Sequence, residues 1–544
     1  MITINGEDLT IDSIAAVSRG EKVRITGDAT VLGRVEASRQ RIQDALASGQ
    51  QIYGVTTLYG GMADKLVPID QIKQLQKLSL WHHKTSTGPR LPEPDVRAAM
   101  LLRANSFLKG ASAIRLEIIE RYVALLNAGA APHAYQRGSI GASGDLAPLA
   151  YIGAAAIGLD PYFKIDLGGE TLDSLAALAK LGLKPIELEP KEGLAISNGT
   201  TACTGVAANC IARAYDLLAL ALGAHALMAQ ALLATSQSFD AAIHALKPHP
   251  GQVWIAAQMR DLLKGSKLAR DEAAGDRSHR IGTLIQDRYS LRCLPQYMGP
   301  IADGIALAGR QVETEANSAN DNPLINADTG EVYHTGNFLA QYTGVAMDNL
   351  RYQLAMLIKH LDVQIALLVA PEFNYGLPAS LVGNPGAINM GLKSLQIGCN
   401  SIAPLVHFYG RSITDLYPTH AEQFNQNINS QAMNAANLAR ESVDASEHFI
   451  ANALVFAVQA VELRAHLVAQ SYDASGVLSG MTKALYVAAR TAALGPPRVD
   501  KPLVWNDHDD GFIQPKVEGV LAAVRDGALV KSIKKTRDAI AALS

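Results

Sequence analysis

Leu217 to Phe239 reads LLALALGAHALMAQALLATSQSF, a stretch without a single formal charge, and the fold turns on how it is interpreted. It is long enough to cross a bilayer, which takes about 20 apolar residues in a helix. Yet His225, Gln230 and the hydroxyls of Thr235, Ser236 and Ser238 interrupt it, alanine dominates it, and no aromatic belt marks its two ends. Polar groups in hydrocarbon are costly, and interfacial Trp and Tyr normally anchor a span. A helix apolar on every side is also what the centre of a large helical bundle requires, and that is how we read it.

The rest of the chain agrees. Ala, Leu, Gln, Glu and Arg recur over residues 94–127, 202–246, 301–316, 338–368 and 435–470, with apolar positions three and four apart. In the last run Ile450, Leu454, Val458, Val461, Ala465 and Val468 follow one face. Strand-like segments are few, near Lys22–Ile25, Gln51–Val55 and Asp166, and glycines cluster at residues 60–61, 138–144 and 168–169. The expectation is a mainly α protein with a long central helix bundle and a smaller, glycine-punctuated N-terminal part. The one boundary we draw divides residues 1–200 from residues 201–544.

Bulk properties narrow the function. Of 544 residues, 48% are apolar and 18% charged, and the formal net charge is −3. That is an ordinary globular composition with no electrostatic footprint for nucleic acid or an anionic membrane. Cys203, Cys210, Cys293 and Cys399 form no C-x-x-C pair and suit buried thiols in a reducing compartment. The N-terminal MITINGEDLTIDSIAAV has no basic segment leading into an apolar one, so a cytoplasmic enzyme is expected. His133, His249 and His407 have no metal-ligand spacing, and no metal is called for.

One loop carries chemistry. Arg137 to Leu149 reads RGSIGASGDLAPL. By residue type it is a glycine-rich turn entering a helix capped by Ser143 or Asp145, with Pro148 in the first turn. The full string resembles the precursor of the 4-methylideneimidazol-5-one (MIO) group in the histidine, phenylalanine and tyrosine ammonia-lyases and the related 2,3-aminomutases. In that family the glycine amide attacks the alanine carbonyl and two waters leave. Applied here, Ala142, Ser143 and Gly144 would make the electrophile: Gly144 offers an unhindered amide, and Ser143 loses its hydroxyl to leave an alkene. No dissociable cofactor is implied.

The resemblance covers nearly the whole chain. Residues 53–60, YGVTTLYG, resemble the family's lid segment, in which Tyr53 would be the base that removes the β-proton. ISNGTTACTG resembles the asparagine-glycine near the electrophile, where Asn198 would stabilise negative charge on the ring oxygen. By residue type alone Asn198 could equally cap the helix that follows. Residues 286–296, QDRYSLRCLPQ, match another family string. It implies Gln286 at the substrate, Tyr289 beside the electrophile, and Arg292 clamping the carboxylate bidentately. NSANDNP and HTGNF would add Asn322 at the carboxylate and Phe338 against the ring. EQFNQNINS implies Glu422, Asn425 and Gln426 near the substrate amine, with Phe424 and Asn427 departing from the family string.

Leu80-Trp-His-His-Lys84 occupies the place where the family reads the aromatic ring, and His83-Lys84 is the pair that aligns. Family members carry Phe-Leu there for phenylalanine, His-Leu for tyrosine and Ser-His for histidine. An imidazole can hydrogen-bond a phenol, whereas phenylalanine would leave it unpaired at a cost of about 1–3 kcal/mol. Lys84 fits none of the three patterns. The expected activity is therefore elimination of ammonia from L-tyrosine to give 4-coumarate. A tyrosine or phenylalanine 2,3-aminomutase is the alternative, ahead of a histidine ammonia-lyase or a catalytically silent scaffold. The resemblance also implies a homotetramer whose sites draw on three subunits.

Overall fold

The computed structural model describes residues 1–270, 286–416, 420–506 and 512–543. It is mainly helical, with three small sheets among the described residues. Ile2–Ile4 pairs in parallel with Val23–Ile25, and Ala131–Pro132, Lys164–Leu167 and Glu170–Asp173 form an antiparallel sheet. Leu324–Ile325 and Val332–Tyr333 make the third, also antiparallel. The strands expected near residues 22–25 and 166 are present. Gln51–Val55 is not a strand but a turn, because Gly54 takes φ +66° and the Val55 and Thr56 amides both donate back to the Ile52 carbonyl.

Two compact units emerge. The first is Met1–Ala212 with Ala308–Asp348 and Ser412–Arg440, and the second is Arg213–Leu307 with Asn349–Arg411 and Glu441–Ser544. This differs from the single boundary drawn near residue 200. Composition marks a boundary along the chain, whereas two later segments return to join the N-terminal part.

In the first unit, helices α1 (Ile72–Trp81), α2 (Leu146–Ile157) and α3 (Glu192–Ser197) pack on one another. Ile72, Leu75, Ser79 and Leu80 give α1 its buried face at helical spacing. Gly193 lets α3 come close: a Cβ there would stand 2.1 Å from the Gln76 carbonyl oxygen of α1. These three helices form much of the wall of the site described below.

Helix α4 (Thr201–Ala231) contains most of the uncharged stretch, and 83% of its most apolar window is buried. By length and composition α4, α7 (Gln341–Val369) and α8 (Ala432–Ala469) could each cross a membrane; between them lie α5 (Tyr289–Arg292) and α6 (Leu294–Ala316). Along α8 every residue from Ile450 to Val461 is buried, polar Asn452 and Gln459 included, so this helix is enclosed all round rather than along the single stripe expected; Val468 lies outside it, half exposed. Within the second unit, buried Arg464 of α8 donates to the Ala231 carbonyl at 2.7 Å, satisfying the end of α4, and to the Asn374 carbonyl at 2.8 Å. Burial lowers its pKa to about 10.

Candidate active site

The glycine-rich loop is held from both sides within the first unit. Gly144 has φ +72°, and a Cβ there would lie 2.1 Å from the Gly199 oxygen, so only glycine fits. The Asp145 amide donates to that same Gly199 carbonyl at 2.6 Å. Upstream, the Ser430 hydroxyl donates to the Gly141 carbonyl at 2.8 Å, and the Gln431 amide to the Ile140 carbonyl at 3.0 Å. Asp145 begins α2 but does not cap it with its side chain. Its fully buried carboxylate instead accepts from the Cys203 amide at 2.7 Å, in the first turn of α4, and from the Ser139 hydroxyl at 3.0 Å. A free α-helix amide is a better partner for an anion than the carboxylate's own short loop.

This frame fits the expected electrophile. Ring closure by the Gly144 nitrogen on the Ala142 carbonyl carbon would make the Ser143 carbonyl oxygen the ring oxygen. Asn198 caps the C-terminus of α3 rather than starting α4, and its Nδ2 donates to that oxygen at 2.8 Å. The Oδ1 of Asn198 is buried and has no hydrogen-bond partner among the described residues. Gln426 Nε2 donates to the Ser143 hydroxyl, the group that formation of the alkene would remove, at 3.1 Å. Ala142 itself is buried.

Ser143 opens onto a cavity of about 220 Å³. Of the residues singled out in the sequence, Tyr53, His83, Asn198, Asn322, Phe338, Glu422 and Asn425 line it with Ser143. Tyr53 accepts from the Gly60 amide at 2.8 Å. Burial, reinforced by the nearby Glu422 carboxylate, raises its pKa above the usual phenol value despite that bond, so the phenol keeps its proton here. Asn322 is oriented by the Thr335 amide, which donates to its Oδ1 at 2.7 Å. His83 Nδ1 lies 2.7 Å from the Ser79 carbonyl. Burial, with His82 beside it, lowers the His83 pKa to about 4, which leaves the ring neutral.

Seven expected residues do not line this cavity: Ala142 and Gly144, which flank Ser143, Gln426, which donates to it, and Lys84, Gln286, Tyr289 and Arg292. Lys84 was placed at the substrate ring beside His83, but its ammonium sits 3.3 Å over the Trp81 ring. At the end of α1 the chain turns, so neighbours in sequence diverge, and the indole face offers the cation a better partner. Gln286, Tyr289 and Arg292 belong to the second unit. Gln286 is exposed, Tyr289 is 72% exposed, and the Arg292 guanidinium stacks on the Tyr289 ring at 4.6 Å. Helix α5, which carries the last two, is held by His360 of α7, whose Nε2 lies 2.8 Å from the Ser290 carbonyl.

The cavity also includes residues that the sequence did not single out: Tyr59, Ser79, His82, Leu146, Leu194 and Ser197. Tyr59 and His82 lie inside quoted motifs, and the doubled histidine was a visible signal. Ser197 lies within the quoted ISNGTTACTG, whereas Leu194 faces the site only through the packing of α3, which no local pattern announces. Behind the wall, Lys191 and Asp321 form a fully buried ion pair at 2.5 Å, and Ser112 donates to the same carboxylate at 2.9 Å. Arg103, also fully buried, donates to Asn320 at 2.8 Å. These charges fix the chain immediately before Asn322.

Comparison with known proteins supplies the context. Residues 9–491 match the family model described as aromatic amino acid lyase. The chain is 61% identical over 525 residues to an aromatic ammonia-lyase from Loktanella atrilutea, covering 96% of each. It is 52% identical over 532 residues to a phenylalanine ammonia-lyase from Nostoc punctiforme, covering 97% of this chain and 93% of that one. Its structure is similar to that of tyrosine aminomutase from Streptomyces globisporus, with TM-score 0.87, 29% identity and 98% of each chain covered.

Proposed function

Because the chain belongs to the aromatic amino acid lyase family and is a carbon–nitrogen lyase acting on an aromatic amino acid, we propose that its substrate is L-tyrosine and its products are 4-coumarate and ammonia. The observation that carries the tyrosine reading is His83. Its Nδ1 is committed to the Ser79 carbonyl, which can only accept, so the neutral ring must present Nε2 to the cavity as an acceptor. A phenol satisfies that acceptor, and a bare phenyl ring does not.

The MIO group, formed from Ala142, Ser143 and Gly144, would supply an electrophilic alkene to which the substrate amine can add. Asn198 would stabilise charge on the Ser143 carbonyl oxygen, a role supported by its 2.8 Å hydrogen bond. Tyr53 would take the β-proton as base. Its proton is firmly held in this environment, so positive charge near the phenol, such as the substrate ammonium, is needed to bring it into range. Phe338 would pack against the substrate ring, and Asn322 would hold its carboxylate. Glu422, Asn425 and Gln426 would face the amine, and exclusion of water would fall to the segment bearing Tyr53 and Tyr59.

Gln286, Tyr289 and Arg292 would enter the site from neighbouring copies in a homotetramer. The exposure of Tyr289, Tyr352, Ile397 and Phe408 supports burial of such a surface between copies. Four free thiols suit a cytoplasmic setting. The similarity to a tyrosine aminomutase favours one second reading, return of the amine to the β-carbon while the acid is retained.

Incubation with L-tyrosine, L-phenylalanine and L-histidine, with products separated by chromatography, tests the proposal. 4-Coumarate and ammonia are expected from L-tyrosine. β-Tyrosine as the main product would make the enzyme a mutase, urocanate would refute the role of His83, and no product from any substrate would mark a silent scaffold. His83→Phe should lower the ratio of kcat/KM for L-tyrosine over L-phenylalanine by at least about tenfold, the worth of one buried unpaired acceptor. An unchanged ratio would refute the assignment.

A further inference from the structure

The ring-binding end of the cavity holds two imidazoles rather than one. His82 and His83 both line it, with ring centroids 3.8 Å apart. His82 Nδ1 lies 2.7 Å from the Leu78 carbonyl, just as His83 Nδ1 lies 2.7 Å from the Ser79 carbonyl. A carbonyl only accepts, so both Nδ1 atoms carry hydrogen, and in its neutral form each ring has its lone pair on Nε2. Neither Nε2 has a protein partner among the described residues. Tyr59 stacks on His82 at 6.1 Å and 19°, which steadies the more exposed of the two rings.

The surrounding hydroxyls do not answer these acceptors. Ser79 Oγ donates to the Gln76 carbonyl at 2.7 Å, and the Tyr59 hydroxyl is directed at the Leu75 carbonyl at 3.5 Å. Tyr53 accepts from the Gly60 amide, and among the described residues its hydroxyl makes no hydrogen bond to either imidazole. This end of the cavity therefore offers acceptors side by side, and the ligand must bring the donors. A phenol brings one O–H and leaves the second imidazole to water. Two hydroxyls on adjacent ring carbons bring two.

We propose that His82 and His83 act as a paired acceptor selecting an aromatic amino acid whose ring carries two adjacent hydroxyls, with His82 reading the second. This rests on the cavity being the substrate site of a lyase, and it sharpens the tyrosine reading to a catechol amino acid. A ring with methoxy or halogen substituents, which donates nothing, gains no such advantage.

The test has two arms. In the first, kcat/KM is measured for L-tyrosine and L-3,4-dihydroxyphenylalanine in the native enzyme, in His82→Leu and in His82→Asn. In the second, Kd is measured by calorimetry for 4-hydroxycinnamate and 3,4-dihydroxycinnamate with the same three proteins, so that no turnover is needed. One added neutral hydrogen bond is worth up to about tenfold, so the native enzyme should favour the catechol by about three- to tenfold in both arms. His82→Leu should bring both ratios to about one, and His82→Asn, a shorter polar group, should restore part of the preference. A catechol preference that survives His82→Leu overturns the proposal, as does a native Kd ratio of one. If neither amino acid is turned over but the Kd ratio behaves as stated, the lyase reading fails and the paired acceptor stands.

Discussion

Replacing Asn198 by alanine removes the side-chain donor that lies 2.8 Å from the Ser143 carbonyl oxygen. Asn198 is only 4% exposed, so water cannot readily take its place. If the bond merely braces the loop, its loss costs about 1 kcal/mol of stability and leaves turnover nearly intact. Even that loss is offset, because alanine also removes the Asn198 Oδ1, a buried acceptor with no partner among the described residues. If the donor instead meets charge that develops in the reaction, its removal costs about 2.7–4 kcal/mol at the transition state, or 10²–10³ in kcat. The account predicts the second pattern: kcat falls about 10²- to 10³-fold, KM changes little, and the melting temperature stays close to that of the native enzyme. Steady-state kinetics and a thermal melt measure these quantities. Intact mass supplies the fraction of chains that have lost two waters, by which kcat is normalised. A normalised kcat within about threefold of the native value would refute the reasoning.

The structure supports further predictions. Lys191→Met leaves Asp321 buried with Ser112 as its remaining hydrogen-bond donor, and breaking a buried pair from one side costs about 3–5 kcal/mol; a urea midpoint unchanged from the native protein would contradict this. His360 has its pKa lowered by burial to about 4, against 6.5 when unfolded. Its contribution to stability is therefore complete above pH 6.5 and is lost as pH falls from there toward 4, a loss on the order of 3 kcal/mol. His360→Gln should flatten that acid limb in urea titrations taken across the range, and an identical limb would contradict it. The same substitution withdraws the ring beneath Ser290, so it should raise KM through Tyr289 and Arg292 if α5 contributes to a site in the assembly. A KM unchanged in an otherwise folded protein would remove α5 from the account.

The long helices were legible because burial on all sides leaves an uncharged alphabet, as in the run from Leu217 through Ala231. The electrophile loop was legible as a string, and its setting was not. Nothing near Asp145 announces that its carboxylate reaches the Cys203 amide, or that Gly144 must clear the Gly199 carbonyl. Such contacts join segments more than fifty residues apart. Gln51–Val55 shows the converse failure: aromatic and β-branched residues suggest a strand, and one glycine with positive φ makes a turn. The place expected for Lys84 follows from the alignment of the His83-Lys84 pair, and an alignment does not show that a cation near an indole takes that ring as its partner. Tyr289 and Arg292 could be named from their string, but their string says nothing of the unit that carries them or of their exposure.

The central claim is that Ala142, Ser143 and Gly144 become an electrophile, and mass measures it most directly. The native protein purified from cells should be lighter than its sequence by two waters, with the deficit confined to the peptide that contains residues 142–144. Ser143→Ala cannot form the alkene, and should lack both the full deficit and the ability to release ammonia from L-tyrosine. A native protein of full sequence mass that still releases ammonia would contradict the account.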